Sequence, residues 1–261
     1  MIGIFDSGIG GLTVARAVMK SLPDCPVCYL GDTARTPYGN KSPETVTRYA
    51  IEDTRFLLEH GALVVVVACN SASSAAYHAL RETFDIPLFE VITPAVETAL
   101  ALSKVQRVGV IGTRATVASG IYERMILERD SEKSVYSQAC PLLVPLVEEG
   151  WMNRPETRMI VKKYIHPLKV RQVDTLILGC THYPLLKDVI QAKIGKRVRV
   201  IDSSHAVASS LVRYLEEHPD LHEKLRGGGP SCLYVTDVTE QFRTIAGRIL
   251  EKNVSLTHVE I

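Results

Sequence analysis

The stretch Leu63-Val64-Val65-Val66-Val67-Ala68-Cys69-Asn70-Ser71 decides the fold of this chain. Its apolar part is too short for a helix and consists mostly of β-branched residues, which is typical of a strand buried on both faces. A second stretch, Thr175-Leu176-Ile177-Leu178-Gly179-Cys180-Thr181-His182, has the same form. A helical pattern follows each stretch. Each cysteine is therefore predicted at the carboxyl end of a parallel strand, where open α/β sheets bind their ligands.

The elements around Val108 repeat the order of elements at the amino terminus. Val108-Gly109-Val110-Ile111-Gly112-Thr113 echoes Ile2-Gly3-Ile4-Phe5-Asp6-Ser7, and a polar loop follows in both cases. The pattern favours an internal duplication into two α/β halves of about 100 residues each. The alternative is that unrelated βαβ units share this pattern. A carboxyl-terminal segment without a counterpart is predicted to complete the first domain, which divides the chain into residues 1–93 with 206–261 and residues 94–205.

The composition is that of an ordinary globular chain. Of the 261 residues, 46% are hydrophobic and 23% are charged, which allows a packed core. The net charge of +1 does not indicate binding to nucleic acid or attraction to a membrane surface. The longest apolar run falls far short of the ~18–20 residues that span a bilayer, and no basic leader precedes the first strand, so a cytoplasmic location is expected.

The six cysteines are expected to be reduced thiols in that location. Cys25 and Cys28 form an isolated CxxC pair, without the second ligand pair that a zinc site needs. Cys28 leads into a strand rather than a helix. This favours a structural role for the pair over a thioredoxin-like redox motif.

The glycine-rich turn Ser7-Gly8-Ile9-Gly10-Gly11 links the first strand to the first helix. Such glycines let backbone amides approach an anion at a helix amino terminus. Thr13 stands where a dinucleotide fingerprint has its third glycine, so the turn is only a weak indication of a dinucleotide site.

Two cysteines in matched settings suggest two acid–base groups on opposite faces of one atom. Inversion of a carbon stereocentre needs this arrangement, because one base removes a proton and the other returns one from the far side. A free thiol has a pKa near ~8.5, and a helix amino terminus or a cation is expected to lower it toward the working pH. Asp6, at the end of the first strand, is expected close to Cys69, and His182 follows Cys180 by two residues.

Four segments of the chain resemble the glutamate racemases, the cofactor-independent enzymes of bacterial cell-wall synthesis. They span nearly the whole chain in the family's order: Phe5-Asp6-Ser7-Gly8-Ile9-Gly10-Gly11, Asp32-Thr33 with Pro37-Tyr38-Gly39, Ala68-Cys69-Asn70-Ser71-Ala72-Ser73, and Gly179-Cys180-Thr181-His182-Tyr183-Pro184-Leu185-Leu186. Ser71 departs from the threonine that is usual in the family but keeps the hydroxyl group.

The resemblance implies two flavodoxin-like three-layer αβα domains with mostly parallel sheets, related by a pseudo-two-fold axis, with the active site in the cleft between them. It implies interconversion of L-glutamate and D-glutamate without pyridoxal phosphate or metal, and commonly a homodimer. Cys69 would deprotonate the D enantiomer and Cys180 the L enantiomer. Asp6 and His182 would support them, with Glu148 as a helper near the second thiol. The implied substrate-binding residues are Asp6, Ser7, Tyr38, Gly39, Asn70, Ser71, Thr181 and His182.

Three other hypotheses stay open at this point. A racemase for aspartate or another amino acid would use the same pair of thiols, although the aspartate enzymes tend to carry an acidic residue where this chain has His182. A binding protein of the same fold would hold an amino acid without turning it over. A thiol redox protein would use Cys25 and Cys28 and needs an exposed cysteine of low pKa at a helix start.

Overall fold

The computed structural model describes residues 1–227 and 229–261 of the chain. The strands in chain order are β1 (Ile2–Asp6), β2 (Val27–Gly31), β3 (Val64–Val67), β4 (Leu88–Glu90), β5 (Arg107–Gly112), β6 (Ser134–Ala139), β7 (Thr175–Gly179), β8 (Arg199–Asp202), β9 (Cys232–Val235) and β10 (Thr257–His258).

The α-helices in chain order are α1 (Leu12–Ser21), α2 (Pro43–Glu59), α3 (Asn70–Thr83), α4 (Ile92–Leu102), α5 (Arg114–Ala118), α6 (Ile121–Arg129), α7 (Leu143–Glu148), α8 (Pro155–Val170), α9 (Lys187–Ile194), α10 (Ser203–Glu217), α11 (Pro219–Arg226) and α12 (Glu240–Leu250). Short 3₁₀ turns cover Thr33–Arg35, Tyr38–Asn40 and Tyr183–Leu186.

The strands form two parallel sheets whose central parts have the same order. The first sheet runs β10-β9-β2-β1-β3-β4 and the second runs β6-β5-β7-β8. The order β2-β1-β3-β4 therefore recurs as β6-β5-β7-β8, with β1 and β5 in equivalent places. Every described strand pair is parallel. The predicted fold class, two α/β units with parallel sheets, is confirmed.

Both cysteine-bearing strands are covered by helices on both faces. Val64 and Val66 of β3 pack in an apolar cluster with α1, α10 and α12, whereas Val65 and Val67 pack in another with α2 and α3. Leu176 and Leu178 of β7 likewise share a cluster with α8 and α9, and the intervening residue of β7 packs with α4 and α6. This burial explains the continuous apolar runs, because neither face of a middle layer meets water.

The chain passes from one sheet to the other and back. Helix α4 packs in the core of the second sheet, and α10 packs in the core of the first. Strand β9 pairs with β2 and β10 pairs with β9, so the carboxyl-terminal segment extends the first sheet. The domain division at residues 93 and 206 stays a proposal, which these sheet memberships support.

Several elements differ from those that the sequence pattern indicates. In the second half, the sequence pattern predicts a polar loop over residues 139–150, yet this segment contains α7, a six-residue helix with an internal proline. Strand β6 is an edge strand that is partly exposed and rich in polar residues, so it has no apolar run to indicate it. The apolar pattern after Cys69 predicts a helix from Ser73, but α3 already begins at Asn70, since Cys69 is its N-cap residue.

Two further sequence-based expectations concern a membrane-spanning helix and a glycine-rich loop. No helix in the described ranges is long and apolar enough to cross a membrane. The sequence Arg226-Gly227-Gly228-Gly229-Pro230 predicts a loop, and residue 228 lies outside the described residues.

The carboxylate of Asp174 fixes the connection between α4 and β5. It accepts hydrogen bonds from Oγ of Ser103 at 2.8 Å and from the backbone N–H groups of Lys104 and Val105 at 2.6 and 2.7 Å. Partial burial raises the pKa of Asp174, but these donors outweigh it and hold the pKa below its ordinary value. The carboxylate therefore contributes stability above its ordinary pKa, and this contribution is lost as the pH falls through the lowered value.

We expect Asp174→Asn to lower the free energy of unfolding by about 1 kcal/mol at pH 7, because charge-assisted hydrogen bonds are lost from a partly exposed site. Urea unfolding at pH 7 and at about pH 3, below the ordinary pKa, measures the effect, which should shrink at the lower pH. Asp85→Asn, at an exposed position, is the control and should leave the stability unchanged. An equal loss at both pH values would contradict this account.

Candidate active site

The two cysteines lie at equivalent strand ends, and their turns meet. Cys69 follows β3 and caps α3, and Cys180 follows β7. Oγ1 of Thr181 donates to Oδ1 of Asp6 at 3.1 Å, and the hydroxyl of Thr13 donates to the carbonyl oxygen of Thr181 at 3.1 Å. These bonds join the first half of the chain to the second. The carboxyl edges of both sheets therefore face one shared cleft.

Asp6 lies at the centre of this junction. It ends β1, next to β3, and is fully buried. Its Oδ2 accepts the backbone N–H of Gly8 at 3.0 Å, and its Oδ1 accepts the Thr181 hydroxyl. Burial raises the pKa of Asp6, although the charge of His182 and these hydrogen bonds oppose the rise. The carboxyl group thus stays protonated to a higher pH than an exposed aspartate.

The Cys69 thiol is buried beside this carboxyl group. Its Sγ donates to the hydroxyl of Ser7 at 3.6 Å. Burial, followed by the nearby charge of Asp6, raises the pKa of Cys69 to about 12, although the N–H of Ala72 and the Ser7 hydroxyl favour the thiolate. The expectation that the helix amino terminus lowers this pKa is wrong. Desolvation of a charged sulfur outweighs the few donors of one helix end.

The Cys180 thiol has a cationic partner instead. Sγ of Cys180 lies 3.8 Å from Nδ1 of His182, and Nε2 of His182 lies 3.1 Å from Oε1 of Glu148. Burial lowers the pKa of His182, but the hydrogen bonds to Cys180 and Glu148 outweigh it and raise the pKa to about 10. The imidazole is therefore protonated at neutral pH and can hold or move a proton next to Cys180.

A second group of polar side chains surrounds the start of α3. Oγ of Ser71 lies 3.2 Å from the hydroxyl of Thr113, and Oδ1 of Asn70 accepts the hydroxyl of Tyr122 at 2.6 Å. Within residues 1–227 and 229–261, three buried side-chain atoms lack a hydrogen-bond partner: Nδ2 of Asn70, Oγ1 of Thr36 and, at the start of β7, Oγ1 of Thr175. An unpaired buried polar group costs about 1–3 kcal/mol, so donors left free in a cleft indicate where a ligand binds.

Tyr38 and Gly39 belong to the loop after β2 and have different surroundings. The Tyr38 hydroxyl lies between the carboxyl groups of Asp32 and Asp53, 2.9 Å from the latter, and Arg35 bonds both carboxyl groups. Gly39 packs against Thr113, where a Cβ atom would lie only 2.8 Å away. The buried ion cluster thus fixes a loop that touches the second half, and the Tyr38 hydroxyl is already engaged.

Sequence reasoning predicted the residues at the strand ends but missed their supports. The missed residues are Arg35, Thr36, Asp53, Thr113 and Tyr122. Arg35 and Thr36 lie in the loop after β2 and Thr113 directly follows β5, but the pattern assigns them no chemical role. Tyr122 and Asp53 are buried on helices whose pattern gives no chemical signal. A polar residue on the buried face of a helix would have been the sign to look for.

A cavity of about 290 Å³ opens next to Glu148. Residues from both halves line it, among them Gly8, Thr36, Glu148 and Phe242. Cys69 and Cys180 are not among its lining residues and are each only 5% exposed. The Glu148 side chain, 37% exposed, connects the cavity to the buried His182. In the part of the chain that the structure describes, no group of three or more His, Cys, Asp or Glu could hold a metal ion.

The CxxC pair lies away from this cleft. Cys25 and Cys28 are buried, and Cys28 on β2 lies opposite Cys232 on β9. Burial, followed by the neighbouring Cys232, raises the pKa of Cys28 above its ordinary value. This is the reverse of what a redox-active thiol needs, so the geometry favours the structural role.

Comparison with known proteins agrees with this architecture of two α/β units with parallel sheets. The profile of the Asp/Glu/Hydantoin racemase family matches residues 13–211. A glutamate racemase of Persephonella marina is 46% identical over 260 residues, which covers 100% of this chain and 97% of the relative. The chain belongs to this racemase family.

Solved structures show the same similarity. A glutamate racemase isoform from Bacillus anthracis has a TM-score of 0.90 with 37% identity, covering 100% of this chain and 97% of that one. The glutamate racemase of Francisella tularensis in complex with D-glutamate has a TM-score of 0.89 with 34% identity, covering 99% and 97%.

We expect Gly10→Ala to lower kcat/KM for racemisation by about 100-fold, because misplacement of a reacting group by about 1 Å has an effect of that size. A Cβ atom on Gly10 would lie 2.4 Å from Oγ1 of Thr181 and 2.5 Å from Nδ1 of His182. Steady-state kinetics measure the loss. Gly247→Ala, where the Cβ would meet only an ordinary 3.5 Å contact, is the control and should keep wild-type kinetics. Wild-type activity in Gly10→Ala would show that the close contact of Gly10 with Thr181 and His182 does not position them for the reaction.

We expect Glu148→Gln to move the high-pH fall of racemase activity to lower pH. Glu148 helps to raise the pKa of His182 to about 10, and the protonated imidazole is lost as the pH rises through that value. Removal of the charge therefore makes His182 lose its proton sooner. The pH profile of kcat/KM measures the shift. Glu149→Gln changes the adjacent exposed carboxylate and should leave the profile in place. If Glu148→Gln also left the pH profile unchanged, Glu148 would not control the pKa of His182.

Proposed function

We propose that this protein is a glutamate racemase that interconverts L-glutamate and D-glutamate by proton transfer between two cysteines and Cα. The observation that carries the proposal is the placement of Cys69 and Cys180 at equivalent strand ends, with their turns joined by the Thr181–Asp6 hydrogen bond. The high identity to glutamate racemases over the full length supports glutamate as the substrate.

The proton moves in opposite directions for the two enantiomers. In the direction from L to D, the Cys180 thiolate takes the Cα proton, and the Cys69 thiol gives its own proton to the opposite face. Cys180 is then a thiol and Cys69 a thiolate, so the reverse reaction starts from the other side. The raised pKa of Cys69 and the protonated His182 beside Cys180 fit this starting state.

The remaining residues would hold the substrate or support the thiols. Asp6 stands between the turns, where it can support Cys69 and accept the substrate ammonium. His182, with Glu148 behind it, supports Cys180. Donors for the carboxylates come from the start of α3 and from the two turns, because helix ends and hydroxyls bind anions. We assign binding to Asp6, Ser7, Tyr38, Gly39, Asn70, Ser71, Thr181 and His182, with Tyr38 acting through its backbone because its hydroxyl is engaged.

The proposal extends to the role of the product. D-glutamate would supply peptidoglycan synthesis in the cytoplasm, where the six free thiols would stay reduced. The reaction needs no pyridoxal phosphate or metal, since the proton is exchanged between sulfur and carbon alone. A homodimer is part of the proposal and is tested by the mass of the protein in solution.

We expect Cys69→Ser and Cys180→Ser each to lower racemisation of L-glutamate by about a thousandfold or more, because each removes one of two acid–base groups. Circular dichroism follows the loss of optical activity, with L-aspartate as the competing substrate. In heavy water, Cys69→Ser should exchange the Cα proton of L-glutamate only, and Cys180→Ser that of D-glutamate only, since one thiol remains for each face.

Cys232→Ser is the matched control, because Cys232 is a half-buried cysteine outside the cleft and should be dispensable for turnover. Near-normal racemisation by either cleft variant would refute the two-thiol mechanism. Turnover of aspartate but not of glutamate would show that aspartate is the substrate. Binding of D-glutamate by a wild-type protein that racemises neither amino acid would identify a binding protein.

A further inference from the structure

Tyr122 lies between the two cysteine turns and contacts both. It belongs to α6 in the second half, and its hydroxyl donates to Oδ1 of Asn70 at 2.6 Å. Asn70 directly follows Cys69 in the first half. The ring of Tyr122 packs on Gly179, which directly precedes Cys180, so closely that a Cβ atom there would lie 3.1 Å from Cε2 of Tyr122. One side chain therefore spans the distance between the turns.

The position of the Tyr122 ring is fixed by packing. The residue is 2% exposed and belongs to an apolar cluster with Ile92, Ile126 and Ile177. Only its hydroxyl reaches past this cluster, toward Asn70. Burial raises the pKa of the phenol well above its ordinary value, so the hydroxyl keeps its proton and acts as the donor.

The hydrogen bond determines which end of the Asn70 amide is free. Because Oδ1 accepts the Tyr122 hydroxyl, Nδ2 carries the free N–H groups, and among the described residues Nδ2 is buried without a partner. Asn70 is the first residue of α3, so this donor lies at a helix amino terminus next to Cys69. A carboxylate is the group that both features favour.

We propose that Tyr122 is a positioning residue that orients the Asn70 amide, so that Nδ2 donates to the α-carboxylate of the amino acid held between the two thiols. The α-carboxylate is singled out because it is bonded to Cα, the atom that the adjacent Cys69 must reach. Without the phenol the amide can rotate, and its oxygen then repels the carboxylate. The inference rests on the proposed function for the identity of the substrate but needs only an α-amino acid.

A double-mutant cycle with Tyr122→Phe, Asn70→Ala and the double variant tests this. The amide contact forms when the substrate binds and strengthens during proton transfer, because the negative charge formed at Cα is shared with the α-carboxylate. We expect Tyr122→Phe to lower kcat/KM about tenfold in both directions, with a higher KM and a lower kcat, because a hydrogen bond to a charged group is weakened. The double variant should match Asn70→Ala within about twofold, because Tyr122 acts through Asn70.

Tyr77→Phe is the matched control, since its hydroxyl donates to the carbonyl oxygen of Leu88 at 3.0 Å, outside the cleft. It should keep the wild-type kcat/KM. An unchanged kcat/KM in Tyr122→Phe, or single effects that multiply in the double variant, would overturn the inference. A fall in kcat alone would also overturn it, as that indicates a general structural role.

The proposed function is judged separately, by turnover of glutamate by the wild-type protein. If the wild type turns over aspartate instead, the same cycle with aspartate decides the role of Tyr122, because both substrates carry an α-carboxylate. Without turnover of either, the rise in Tm caused by D-glutamate is compared. An equal rise in the wild type and Tyr122→Phe, or none in the wild type, overturns the inference.

Discussion

The hydrogen bond between Thr181 and Asp6 is the contact on which the arrangement of the site depends. It joins the end of β1 to the turn after β7, and so connects strands of different sheets through one buried carboxyl group. The two turns pass so close to each other that a Cβ atom on Gly10 would lie 2.4 Å from Oγ1 of Thr181, so only glycine fits at this position. The sequence predicts an anion site at the glycine-rich turn, and in the structure the same turn also allows the two halves of the chain to approach each other.

The strand ends could be predicted from sequence, and what surrounds them could not. The run before Cys69 and the run before Cys180 predict buried strands, because burial on both faces leaves an unbroken apolar pattern. Strand β6 and Tyr122 leave no such trace, since the first is a polar edge and the second is one aromatic residue on a helix. The pKa of Cys69 was expected to fall and instead rises, because desolvation depends on how deeply the turn is covered, which sequence does not record.

The two thiols have the same place in the topology and opposite electrostatic surroundings. Cys69 lies near a carboxyl group, and Cys180 lies beside an imidazole that Glu148 helps to keep protonated. A repeated strand order thus carries unequal side chains at matched positions. In a proton-transfer pair this inequality is useful, because the site needs one thiol that holds its proton and one sulfur with a cation next to it.

The burial of the thiols, each only 5% exposed, also governs the fate of hydrogen atoms. In the proposed reaction, a proton taken from Cα lies on a sulfur that bulk water barely reaches, so it can return to the same carbon. The hydrogen that completes the inversion comes instead from the opposite sulfur. In heavy water the inverted product therefore carries the solvent isotope, whereas a molecule that returns to its original form keeps its own hydrogen.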